Sequence, residues 1–140
     1  MGAISYDSDE YQLPADQEYH LPLPEQQPRS ATTQALVASF VAGSGACRLY
    51  GFSGYSNKAA AQFIQVFDAS AVPADGAVPV VILAVGAGAG AATGTFAAYW
   101  GSSGRWFDRG IVFCNSSTAA TKTIGSADCW FDVQYTPQVI

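Results

Sequence analysis

The stretch Asp128-Cys-Trp-Phe-Asp-Val-Gln-Tyr135 decides the fold class, because apolar and polar side chains alternate along it with a period of two. Successive side chains of a β-strand point to opposite faces, so this stretch would place its apolar residues on one side. That side carries Cys129, Phe131, Val133 and Tyr135, whereas Trp130, Asp132 and Gln134 fall on the other. The pattern predicts a strand with one face on a hydrophobic core.

Shorter apolar segments precede this strand, and turns rich in glycine, serine and asparagine separate them. No amphipathic helical period as long as about eleven residues occurs in the chain. Strands are predicted over residues 34–41, 47–54, 62–67, 78–85, 93–99, 106–115 and 127–135. We therefore expect an all-β fold: an antiparallel β-sandwich or jelly roll of about seven or eight short strands, preceded by an extended N-terminal arm.

The composition of the chain changes near Ser30. Residues 1–30 hold six of the eleven acidic residues, four of the seven prolines and the single histidine, against one basic residue, Arg29. Residues 31–140 hold five acidic and five basic residues and are formally neutral. Proline removes backbone donors and favours extended geometry, so residues 1–30 are predicted to form an acidic arm and residues 31–140 the β-sandwich domain.

The arm carries apolar side chains of the kind that anchor an extended peptide in a groove. The candidate partner-binding residues of the arm are Tyr6, Tyr11, Leu13, Tyr19 and Leu21. We expect them to contact a neighbouring subunit, and we expect the acidic side chains to steer the arm toward a basic surface.

Four aromatic residues flank the predicted turn at residues 101–104: Tyr99, Trp100, Trp106 and Phe107. Exposed aromatic rings near turns can stack on sugars or fill a subunit interface. Trp100 and Trp106 are therefore candidate partner-binding residues as well. The alternative is that these rings close the end of the hydrophobic core.

The residue types of residues 31–140 argue against an enzyme. They include no histidine and no glutamate, so a serine or cysteine nucleophile would lack its usual base and a paired-carboxylate site would depend on five aspartates. We expect no cofactor and no metal. An acidic chain without a basic cluster argues against nucleic acid as a partner. The longest apolar stretch, residues 77–92, is interrupted by Pro79 and three glycines, so no membrane partner is expected.

Three cysteines, Cys47, Cys114 and Cys129, lie within apolar stretches and lack the CxxC spacing of a zinc site. Buried free thiols are the first expectation. A Cys114–Cys129 disulfide between neighbouring strands is the alternative. Free thiols fit cytosolic synthesis.

Four segments together resemble small β-sandwich proteins encoded among the virion structural genes of tailed bacteriophages. They are Leu49-Tyr-Gly-Phe-Ser-Gly-Tyr, Ala61-Gln-Phe-Ile-Gln-Val-Phe-Asp-Ala, Arg109-Gly-Ile-Val-Phe-Cys-Asn-Ser-Ser and Asp128-Cys-Trp-Phe-Asp-Val-Gln-Tyr. The resemblance covers roughly residues 33–136 and does not extend to the arm. It implies a non-enzymatic virion component: a capsid decoration or cement protein, or an accessory piece of neck, tail or fibre.

The first functional hypothesis is thus a virion structural protein that binds other virion proteins, with the major capsid protein as the foremost candidate. We expect it to form a homo-oligomer, with a trimer as the first choice, because symmetric capsid sites favour matching cyclic oligomers. The second hypothesis is a carbohydrate- or receptor-binding module that uses the surface around Trp100 and Trp106. A hydrolase of unfamiliar type ranks third.

Overall fold

The computed structural model describes residues 28–88 and 94–137. The arm residues Tyr6, Tyr11, Leu13, Tyr19 and Leu21 lie outside the described residues, so their predicted role stays a prediction. The first described strand begins at Arg29, where Tyr135 and Arg29 are cross-strand partners. The last two residues of the predicted arm therefore belong to the folded body.

The described residues form nine β-strands and one short 3₁₀ helix, which confirms the predicted all-β fold. The strands are β1 (Arg29–Thr32), β2 (Ser39–Ser44), β3 (Cys47–Ser56), β4 (Gln62–Asp68), β5 (Val81–Val85), β6 (Thr95–Tyr99), β7 (Arg105–Phe107), β8 (Gly110–Ser116) and β9 (Cys129–Pro137). The 3₁₀ helix, Gly101–Ser103, lies between β6 and β7.

The strands form two antiparallel sheets. The first sheet has the order β1-β9-β3-β6, and β7 also pairs with β3. The second sheet has the order β2-β8-β4-β5. Each early strand pairs with a late one: β1 with β9, β2 with β8, β3 with β6 and β7, and β4 with β5. This nested pairing across two sheets is the strand order of a jelly roll.

The main core lies between the two sheets and is rich in phenylalanine. Phe113 on β8 contacts Phe52 on β3 and Phe131 on β9, with ring centroids 4.8 and 5.5 Å apart respectively. Such offset aromatic contacts add about 0.5–1.5 kcal/mol beyond the burial of apolar area. The predicted alternation of the last strand is confirmed, since Cys129, Phe131 and Val133 are fully buried.

A second, smaller core lies on the outer side of the second sheet. Phe67, Val112 and Cys114 point away from the main core, and Ala69 and Ala77 pack against them. The loops of residues 69–80 and 117–128 cover this side; the side-chain amide of Gln65, for example, donates to three carbonyl oxygens of residues 118–121. As a result β8 is buried along its whole length.

Two predicted strands are divided in the structure, and a third, residues 78–85, is shortened to β5, Val81–Val85. Residues 34–41 do not form one strand, because Val37 bridges Cys129 of the first sheet, whereas the chain from Ser39 onward pairs with β8 of the second sheet. Residues 106–115 split into β7 and β8, which lie in different sheets. The carboxylate of Asp68 accepts hydrogen bonds from the amides of Asp108 and Arg109, at 3.1 and 2.8 Å, and so holds the corner between them.

Candidate interaction surface

The structure places the two predicted tryptophans in different environments. Trp100 is half-buried and packs against the main core, with its ring centroid 6.1 Å from that of Phe52. Trp106 is 42% exposed. The 3₁₀ helix between them reorients the chain, so the two indoles do not form a joint exposed surface. Phe107 is buried. Trp100 and Phe107 therefore pack at the core, as the alternative interpretation of these aromatic residues predicted.

Neighbouring polar groups hold the ring of Trp106 in place. Its Nε1 donates to Asp108 Oδ1 at 2.7 Å, and the guanidinium of Arg48 lies 5.5 Å from the ring centroid. Arg48 is the cross-strand partner of Trp106, and its Nη1 donates to the carbonyl oxygen of Ser103 at 2.7 Å. A cation over an indole face contributes about 0.5–1 kcal/mol at an exposed site. These contacts therefore fix the orientation of the ring.

Tyr99 is the most exposed aromatic residue on this side, although it is not among the predicted partner-binding residues. This residue is 64% exposed. Its cross-strand partner is Gly51, where an added Cβ would collide with Cδ1 of the Tyr99 ring. The ring thus lies flat over the glycine backbone and presents its other face outward. The signal for this arrangement is a glycine that pairs across strands with an aromatic residue. Recognising that pair requires knowledge of the strand register.

We define the aromatic face as Tyr55, Tyr99, Trp106 and Trp130 on the outer side of the first sheet. Tyr55 and Trp130 are cross-strand partners near one end of β3, and Tyr99 and Trp106 lie toward its other end. The residues Ser53, Ala97 and Asp132 lie between them, so the middle of this side carries two small side chains and one acidic side chain. A surface with aromatic residues at both ends is suited to packing against a protein or stacking on a ring-shaped ligand.

A polar cluster joins two loops at another place on the body. The hydroxyl of Ser126 donates to Asp128 Oδ2, and Lys58 Nζ donates to Ser126 Oγ at 3.2 Å. Serine nucleophiles are activated by an amine or an imidazole that accepts the hydroxyl proton. Here the ammonium is a donor to the hydroxyl, and the acceptor is a carboxylate. The arrangement ties the loop after β3 to the loop before β9.

All three cysteines are buried free thiols, which confirms the first expectation from the sequence. Burial raises the pKa of Cys47, Cys114 and Cys129 to about 11 in each case. The alternative Cys114–Cys129 disulfide does not form, because Cys114 faces the small outer core and Cys129 faces the main core. Neutral thiols are poor nucleophiles and poor metal ligands.

Within residues 28–88 and 94–137, no group of three or more histidine, cysteine, aspartate or glutamate side chains is placed to hold a metal ion. The same part of the chain contains no helix with the length and hydropathy to cross a membrane. Comparison of the chain with known protein families, with curated proteins and with solved structures gave no significant match.

Proposed function

We propose that the protein is a non-enzymatic structural component of a tailed-bacteriophage virion, a decoration protein that binds the capsid. The observation that carries this proposal is the aromatic face on a jelly-roll body. Jelly rolls serve as building blocks of viral capsids, but the same fold hosts many other functions. Support for this function therefore comes from the surface and from the distribution of charge.

The aromatic face has the composition of a protein-binding surface. Tyrosine, tryptophan and arginine are enriched at interfaces, and Tyr99, Trp106 and Arg48 lie together at one end of this face. Because Arg48 and Asp108 hold Trp106, and because Tyr99 rests on Gly51, less side-chain entropy is lost when a partner binds.

The charge distribution supports a separate role for the arm. Residues 1–27 carry six acidic residues and no basic one, whereas residues 28–140 carry five acidic and six basic residues. The resulting formal charges are −6 and +1, which together give the −5 of the chain. An acidic arm next to a nearly neutral body can bind a basic capsid surface without repulsion from its own domain, and salt would weaken that attachment.

Co-sedimentation with virus particles tests the proposal. Purified full-length chain is added to particles of the phage that encodes it, from which the native copy has been deleted. We expect saturable binding, and we expect removal of residues 1–27 to reduce the affinity by about tenfold or more. The deletion ends at residue 27 because Arg29 and Ser30 form part of β1. The double variant Tyr99→Ser/Trp106→Ser should also bind more weakly.

A matched control is Val41→Ser, which changes an exposed apolar residue of the other sheet. It should bind as the unchanged chain does. Failure of the full-length chain to bind the particles, or full occupancy by the chain that lacks residues 1–27, would contradict the proposal.

Carbohydrate binding is a second candidate function, and the flat, exposed ring of Tyr99 favours it. Sugar rings stack on exposed aromatic faces, and Trp106 lies on the same side of the sheet. The residues proposed to stack on a sugar are therefore Tyr99 and Trp106, in place of the pair Trp100 and Trp106 predicted from the sequence. A glycan array with the full chain tests it: binding that Tyr99→Ala abolishes would support it, and the absence of binding by folded protein would contradict it.

A further inference from the structure

Three of the four sheet edges among the described residues carry a feature that discourages pairing with another chain. Unpaired edge strands are templates for intermolecular pairing, and proteins protect them with charge, bulges or interruptions. The β1 edge is short, polar and bears Arg29. The β2 edge has a register shift between Val41 and Gly43. The edge made by β6 and β7 is interrupted by the 3₁₀ helix Gly101–Ser103.

The fourth edge, β5, carries none of these features. Its sequence is Val-Ile-Leu-Ala-Val, and its register with β4 is continuous from Val81 to Val85. No charged residue occurs between Ala77 and Gly88. The approach to the strand is apolar and exposed as well: Val78 is 73% exposed, and Ile82 within the strand is 43% exposed.

The side chains of β5 are incompletely buried on both sides of the sheet. Val81 and Leu83 pack against the main core but remain partly exposed. On the outer side, Ile82 and Ala84 are exposed. A strand added along this edge would extend the second sheet and cover all four side chains. It would also provide partners for the backbone groups that β5 directs away from β4.

We propose that β5 pairs with β5 of a second copy of the chain, antiparallel and related by a two-fold axis at Leu83. This register places Ile82 opposite Ala84 of the second copy, so that a large side chain meets a small one on the outer side. Val81 would lie opposite Val85 on the inner side. The contact is isologous, and it joins the second sheets of two bodies into one continuous sheet.

Charge and composition favour a second copy over the acidic arm as the occupant. A neutral, apolar strand is the best complement of another neutral strand, and residues 28–140 carry a formal charge of only +1. The arm is a poorer partner, because its four prolines lack backbone donors and its acidic side chains would face an uncharged edge. This inference does not depend on the proposed virion role.

Sedimentation velocity of the full chain tests the pairing. We expect a concentration-dependent dimer, or a larger assembly built from it, and we expect Ile82→Lys to raise the dissociation constant of the β5 contact by about tenfold or more. Val41→Lys is the matched control, since it adds the same charge to an exposed apolar residue at the opposite edge of the same sheet. That variant should associate as the unchanged chain does. Thermal unfolding would verify that both variants fold.

Disulfide trapping tests the register. A mixture of Ile82→Cys and Ala84→Cys chains should form a mixed disulfide on mild oxidation. Each variant alone should form far less, because identical positions are not opposite each other in this register; the native thiols are buried and should not interfere. A monomer at high concentration, or an oligomer that Ile82→Lys leaves intact, would overturn the proposal. So would a monomer in which hydrogen exchange shows that the β5 amides facing away from β4 are protected as well as those facing β4. The last outcome would mean that the chain covers its own edge.

Discussion

Lys122 Nζ donates to Asp75 Oδ1 at 2.6 Å and thereby joins the two loops that cover the small outer core. The Lys122 side chain is only 4% exposed. Backbone hydrogen bonds run beside the ion pair, from Gly76 N to the Lys122 carbonyl oxygen and from Lys122 N to that of Ala77, both at 2.8 Å. The cover over Phe67 and Cys114 therefore depends on contacts between residues far apart in sequence.

The first prediction concerns the pH dependence of stability. The hydrogen bond from Lys122, together with one from the Ile124 amide, lowers the pKa of Asp75 below its ordinary value of 3.8. A carboxyl group whose pKa is lower in the folded state stabilises the fold above its unfolded pKa. That contribution should be fully present above about pH 5 and should decline as the pH falls through the unfolded and then the folded pKa.

Asp75→Asn should accordingly lower the free energy of unfolding at pH 7, and this difference from the unchanged chain should shrink at low pH. Urea unfolding at pH 7, 5 and 3 measures it. Asp132→Asn, on the outer side of the first sheet, is the control. An Asp75→Asn effect that is equal at all three pH values would contradict the assigned role of the ion pair.

The second prediction compares two glycines of β3. A Cβ at Gly54 would collide with the backbone oxygen of Trp130, whereas a Cβ at Gly51 would collide with the side chain of Tyr99. Backbone yields less easily than an exposed ring, so Gly54→Ala should cost about 1–3 kcal/mol of unfolding free energy and Gly51→Ala clearly less. Gly51→Ala should instead displace the Tyr99 ring. Thermal unfolding and the near-ultraviolet signal of tyrosine would show the two effects; equal destabilisation would contradict them.

The third prediction concerns the corner between β7 and β8. Asp68→Ala removes the acceptor of two backbone amides, those of Asp108 and Arg109, and should reduce stability by about 1–3 kcal/mol. Asp68→Asn keeps one acceptor oxygen, so its loss should be smaller. Chemical denaturation of the two variants provides the measurement. If both variants are as stable as the unchanged chain, the carboxylate does not hold the corner.

The fourth prediction concerns the thiols. Because burial raises the pKa of all three cysteines to about 11, almost no thiolate is present at neutral pH. A thiol reagent should therefore label the native chain very slowly at pH 7.5 and should label all three positions after unfolding. Ser102→Cys, on the exposed 3₁₀ helix, is the positive control and should react at once. Rapid labelling of a native cysteine would reveal local opening of the core around it.

The sequence by itself determined the class of the fold. Alternation in residues 129–135 requires one buried face, and this local period survives in β9 because each apolar residue reaches the same core. The unequal charge of the arm and the body is also a property of composition alone. The resemblance to phage virion proteins supplied a functional hypothesis, and that hypothesis remains a proposal.

Only the tertiary structure decided which aromatic rings are exposed and which sheet edge, among the described residues, lacks charge, a bulge or an interruption. Trp100 and Trp106 have equivalent positions beside one turn in the sequence, yet the core takes the first and leaves the second outside. The ring of Tyr99 can lie over Gly51 with one face outward because Gly51, on a strand far away in sequence, lacks a side chain. Likewise, residues 106–115 divide between two sheets at a corner where the Asp68 carboxylate, from a distant strand, accepts hydrogen bonds from two backbone amides. Such outcomes depend on contacts between distant residues, and a local pattern of polarity does not encode them.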